Sequence, residues 1–157
     1  MTATDGRPLT AGERAMVREM FGDAVDADKV RIHHRKWFFL HPSKVIMAPD
    51  GHIWVPPKSD LWADDYAQAP IGLQGLFVHE MTHVWQAQRK GRWYLPLMRH
   101  PFCRSGYNFV PGWPLARYGL EQQAEIMRHV FLQRRAVRPA GVAELASLES
   151  ALPFRTI

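Results

Sequence analysis

The stretch from Ile71 to Lys90 constrains this chain more than any other. It follows Pro70, contains no proline, and ends at Gly91. Proline suits the first turn of a helix, where its missing N–H is not needed. Arg89 and Lys90 suit the negative C-terminal end, and glycine suits the residue after it. A long helix therefore runs from Pro70 to Lys90, and the rest of the chain has to be arranged around it.

Upstream, Thr10-Ala11-Gly12-Glu13 has the capping-box pattern, so a short helix follows it, with Met16, Val17 and Met20 on the apolar face and Gly22 at its end. Residues 1–9 read as a flexible N-terminal arm, and 10–157 as a single domain. Val30-Arg31-Ile32-His33-His34 alternates as a strand does. Val45-Ile46-Met47 and Ile53-Trp54-Val55 flank the turn Pro49-Asp50-Gly51, which predicts a hairpin. Pro56-Pro57 places Ile53–Val55 near a sheet edge, where an extended peptide could pair with it. Residues 58–69 read as a loop. Trp93 to Gly119, with four prolines, reads as a long covering loop. Leu120, Ala124, Met127 and Phe131 recur at helical spacing, so a second helix starts near Leu120 and stops by Pro139. A short helix over 142–152 closes an α+β fold with a small sheet early and the chemistry on later helices.

Composition excludes several classes. With 157 residues, 46% hydrophobic and 22% charged, the chain resembles an ordinary globular domain. No apolar run approaches the roughly 18 residues of a membrane span. The N-terminus lacks the apolar core of a secretory signal, which gives a cytoplasmic location by default. One cysteine, Cys103, rules out an internal disulfide framework and is expected to be an inert thiol. The net charge of +5 comes from scattered basic residues, with clusters such as His33-His34-Arg35-Lys36, and without a recognition motif it does not point to nucleic acid. The eight histidines are many for this length and direct attention to metal.

His79-Glu80-Met81-Thr82-His83 lies within the long helix. Residues four apart share a helix face, so both imidazoles can reach one zinc ion, and Glu80 beside them can act on water as a general base. Catalytic zinc needs a third protein ligand. The metzincin extension is absent, because Gln86 and Arg89 stand where its glycine and third histidine would be. Glu121 and Glu125, four apart on the second helix, fit best: one carboxylate binds zinc while the other accepts a hydrogen bond from a ligating imidazole. Glu121 is the favoured ligand and Glu125 its support, with His100 and His129 as weaker alternatives. Tyr107 and Tyr118 are candidates to stabilise an oxyanion. His33, His34 and His52 fall on expected strands, where structural roles serve equally well.

Glu121-Gln122-Gln123-Ala124-Glu125 is similar to the Glu-x-x-Ala-Asp signature of gluzincin metallopeptidases such as the CAAX-processing type, with Glu125 one methylene longer than the usual Asp. In those enzymes the first acid binds zinc and the last supports a ligand from behind. A closer likeness runs from about Leu9 to Gly91. Phe21-Gly22, Val30-Arg31-Ile32-His33, Gly51-His52-Ile53 and His79-Glu80-Met81-Thr82-His83-Val84-Trp85-Gln86 together resemble a bacterial zincin-like domain family associated with extracellular contractile injection systems and polymorphic toxins. The whole chain also resembles small proteobacterial proteins labelled "Vgr-related". The resemblance implies a minimal zincin-like fold, a metallopeptidase with one zinc per chain, and a peptide or protein substrate. It further implies a type VI or other injection-apparatus partner, with export by that route. A metal-dependent cell-wall amidase and a non-catalytic adaptor on the same scaffold are the alternatives, and the intact Glu80 argues against the adaptor.

Overall fold

The computed structural model describes residues 6–98 and 106–154. Its elements are β1 (Arg7–Pro8), α1 (Ala11–Phe21), β2 (Arg31–His33), β3 (Ile53–Trp54), α2 (Ile71–Lys90), α3 (Tyr94–Met98), α4 (Leu120–Arg134) and α5 (Leu145–Ser150). Short 3-10 turns occupy Ala27–Lys29, Tyr66–Gln68 and Leu115–Arg117. The architecture is α+β, as expected, with five helices and one three-stranded sheet among the described residues.

The capping box forms: the Glu13 amide donates to Thr10 Oγ1 at 3.1 Å and the Thr10 amide to Glu13 Oε2 at 2.8 Å. Glu13 does more than cap. Its carboxylate is fully buried, accepts two hydrogen bonds from the Arg7 guanidinium and a third from the Tyr66 amide. A buried charge needs this degree of pairing to be tolerated. The same contacts overturn part of the expected arm. Arg7–Pro8 form β1, antiparallel to β2, because Arg7 is fastened to Glu13 and to the Ala63 carbonyl. Residues 1–5 lie outside the described residues.

The hairpin is also revised. β3 pairs in parallel with β2, in the register Ile32↔Ile53 and His33↔Trp54. The expected partner segment contributes only one antiparallel bridge, Met47↔Trp54. Asp50 Oδ1 accepts from both the Trp54 indole and the His52 amide, which closes the turn tightly around the β3 side. With His33 on one side and Met47 on the other, both main-chain groups of Trp54 are taken: its amide donates to Met47 and its carbonyl accepts from Met47. β3 therefore offers no free edge at Trp54, and a substrate peptide cannot pair there.

α2 begins and ends where proline and glycine require, with Pro70 as its N-cap and Gly91 at φ +96° as its C-cap. It packs along α4. Phe77, Val78, Met81 and Val84 of α2 join Ile126, Met127, Val130 and Phe131 of α4 in the core. At Gly75 the two helices pack closely, and an added Cβ would sit 3.2 Å from Leu132 Cδ2. α3 lies inside the segment expected to be structureless. Its Pro96 is the third residue of the helix, a position whose N–H has no helical partner in any case, and Leu95 is fully buried. No helix among the described residues is long and apolar enough to cross a membrane.

Candidate metal centre

α2 is buried through the stretch that carries His79, Glu80 and His83. Packing against α4 then brings Glu121, in the first turn of α4, opposite both imidazoles. His79 Nε2 lies 3.3 Å from Glu121 Oε2, and His83 Nε2 lies 3.2 Å from Glu121 Oε1. Ligand atoms of His79, His83 and Glu121 all fall within 4.8 Å of one another, and these form the one such three-residue group among the described residues.

The outer nitrogens show which way each ring faces. His79 Nδ1 is 2.7 Å from Glu125 Oε1. His83 Nδ1 is 2.8 Å from Gln86 Oε1. The Gln86 amide cannot be reversed, because its Nε2 donates to the Leu120 carbonyl and to Gln123 Oε1, each at 3.0 Å. Gln123 is fixed in turn by donating to the Tyr118 carbonyl at 2.9 Å. Two backbone carbonyls thus orient a chain of two amides, which requires His83 Nδ1 to be the donor. In its neutral form the ring then presents the Nε2 lone pair, buried and without a hydrogen bond, toward Glu121. A lone pair aimed at a carboxylate is repulsive unless a proton or a metal cation lies between them. Two imidazole nitrogens and a carboxylate oxygen are the donor types zinc prefers, so these residues fit a metal.

Charge at the site supports the same conclusion. Burial by itself lowers the His79 pKa, but the hydrogen bonds its ring donates to Glu121 and Glu125, with the nearby Glu80 charge, outweigh it and lift the group to about 9. With no metal bound, a proton on His79 balances the surrounding acids. Burial raises Glu125, but the bond to His79 and the charges of His79, Arg128 and His129 leave it below the usual carboxylate value. Glu125 is therefore an anion ready to accept from His79 Nδ1.

The structure sorts the other candidates. Glu80 is buried on α2, and its charge is felt by both His79 and Tyr66. His129 lies behind Glu125, with Nε2 3.5 Å from Glu125 Oε2 and Nδ1 bonded to the Tyr107 hydroxyl. It does not join the three-residue group. Tyr107 consequently sits on the outer side of His79, and the Tyr118 hydroxyl accepts from the Val110 amide, so both phenols have structural partners. His33 stacks on Trp54, with ring centroids 3.8 Å apart, within the sheet. His100 and Cys103 lie outside the described residues. Gln86 and Gln123 were not singled out as site residues from sequence. The available signal was Gln86 at three residues after His83, hence on the same helix face.

No family model matches the chain. Among curated proteins it is similar to the type VI secretion system spike protein VgrG2b of Pseudomonas aeruginosa strain PAO1, 34% identical over 139 residues. That match covers 84% of this chain but only 13% of the spike protein. Among solved structures it is similar to the effector domain of Pseudomonas aeruginosa VgrG2b, with a TM-score of 0.76 and 31% identity. That likeness covers 97% of this chain and 87% of the solved one. It extends over nearly the whole of both chains, and the chain accordingly belongs to the family of the VgrG2b effector domain.

Proposed function

We propose that this domain is a zinc-dependent hydrolase of peptide bonds, of gluzincin type, that acts as an effector exported by a type VI secretion apparatus. The observation that carries the chemistry is the convergence of His79 Nε2, His83 Nε2 and Glu121, with both outer nitrogens held by acceptors. The relationship to the VgrG2b effector domain supports the delivery route.

His79, His83 and Glu121 would hold the ion, while Glu125 and Gln86 keep the two rings facing it. Zinc bound there supplies Lewis acidity, polarising a carbonyl and bringing water toward a pKa of about 7. Glu80 supplies the proton traffic. As a carboxylate it takes the proton from the attacking water, and as an acid it returns that proton to the departing amide nitrogen. A purely structural metal site has no use for a buried acid at this position, so Glu80 favours the enzyme over an adaptor.

The test is turnover on peptides, folded proteins and cell-wall fragments, comparing zinc-loaded with chelator-stripped protein. Activity should appear with zinc and vanish without it. Hydrolysis confined to cell-wall cross-links would turn the assignment to an amidase. Hydrolysis unaffected by stripping would remove zinc from the chemistry.

The two acids of α4 are separable by affinity. Glu125→Ala and Gln86→Ala, which remove the support of a ring but leave His79, His83 and Glu121 in place, should each weaken zinc binding by about 10–100-fold. Glu121→Ala should weaken it further than either, in a competition titration with a chromophoric chelator. A larger loss from Glu125→Ala than from Glu121→Ala would exchange their roles.

A further inference from the structure

We propose that the loop tip Trp37-Phe38-Phe39-Leu40 is an interfacial anchor that seats this domain on an anionic lipid surface. Phe39 is 83% exposed, Leu40 68% and Phe38 41%, three consecutive large apolar side chains standing in water. Such exposure is uncommon in a globular domain and marks a surface that meets something apolar.

The exposure is built into the loop. His41, at its base, is fully buried. Its Nδ1 accepts from the Trp37 amide at 3.0 Å, its Nε2 donates to the Val45 carbonyl at 2.5 Å, and its own amide donates to the Phe38 carbonyl at 3.0 Å. One buried imidazole therefore ties both sides of the turn and holds the tip outward. Collapse of the tip onto the body would break these bonds.

Charge selects the partner. Residues 31–49 contain no aspartate or glutamate, while Arg31, Arg35, Lys36 and Lys44 all fall within them. Lys36 also lines a cavity of about 310 Å³ together with Ser43, Pro56, Pro57 and Lys58, so a further cation gathers at the foot of the loop. An apolar aromatic tip backed by cations matches the layers of a lipid interface: acyl chains below, anionic phosphates at the level of the lysines. A protruding tip also suits a deformable surface better than a flat protein face.

The experiment is flotation of the zinc-loaded chain with vesicles of phosphatidylcholine, alone or mixed with anionic phosphatidylglycerol. The variants are F38S/F39S and K36E/K44E, each checked for unchanged circular dichroism and thermal midpoint. The wild type should float with the mixed vesicles and far less with phosphatidylcholine alone. F38S/F39S should lower the partition coefficient by about tenfold or more, since two large apolar groups no longer enter the bilayer. K36E/K44E should lower it by about tenfold or more and abolish the preference for anionic lipid. The proposal is overturned if the wild type ignores anionic vesicles. It is equally overturned if F38S/F39S binds them as well as the wild type, for then net charge alone is responsible. Self-association that F38S/F39S abolishes, with no vesicle binding, would assign the tip to a second copy of the chain instead.

Discussion

Purified protein should bring close to one zinc per chain, and His79→Ala or His83→Ala should leave the metal site empty. The expected loss in affinity exceeds the ~10–100-fold typical of a group that only supports a ligand. Each imidazole supplies a nitrogen aimed at Glu121, and among the described residues neither has a substitute nearby. His129 is occupied behind Glu125, and His33 is stacked in the sheet. Removing His83 also leaves Gln86 Oε1 without its donor inside a buried chain of amides, so a stability cost accompanies the metal loss. Elemental analysis of wild type and variants, after equal exposure to zinc, reads the result directly. Full metal retention in the double variant would place the site elsewhere.

The long helix was legible because every signal for it is local. Pro70 and Gly91 bound it, and the histidine spacing follows from 3.6 residues per turn. The capping box at Thr10 was legible for the same reason. Its deeper role was not, because Glu13 becomes a buried hub only when Arg7 and Tyr66 arrive from distant parts of the chain. The sheet shows the same limit. Alternation and a turn dipeptide favour a hairpin between neighbours in sequence, yet β3 takes β2 as its main partner, about twenty residues away. Pattern identifies strands more reliably than it identifies which strands meet.

The candidate site divides along the same line. The four-residue spacing was enough to put Glu121 and Glu125 on one face of the second helix as candidate partners of the α2 histidines, and the fold brings Glu121 to 3.3 Å from His79 Nε2 and 3.2 Å from His83 Nε2. The orientation of His83 could not be read that way. It depends on two carbonyls near the start of α4 acting through Gln123 and Gln86, three links that exist only after the helices dock. Gln86 was noticed only as the residue that excludes one class of zinc site. In the fold it is the residue that holds the His83 ring, through a hydrogen bond from His83 Nδ1 to its side-chain oxygen.

Glu80→Gln should keep both fold and zinc while removing turnover. Glu80 is not one of the three converging residues, so the substitution leaves every donor atom of that group in place. Glutamine has nearly the same shape and can occupy the same buried position on α2. It cannot take a proton from water at neutral pH, and it cannot hand one to a leaving nitrogen. Loss of a general base typically costs about 10²–10⁴-fold in rate, with little effect on ground-state binding. The measurement is kcat on the best substrate from the panel, for wild type and variant at matched zinc content. Equal rates would show that Glu80 is not the base, whatever its burial suggests. A zinc-loaded wild type as inactive as the variant, over a broad set of peptides and cell-wall fragments, would instead favour an adaptor that retains the metal site. A fall in kcat with zinc and thermal midpoint unchanged would separate catalysis from structure at a single atom, because carboxylate and amide differ here only in their capacity to carry that proton.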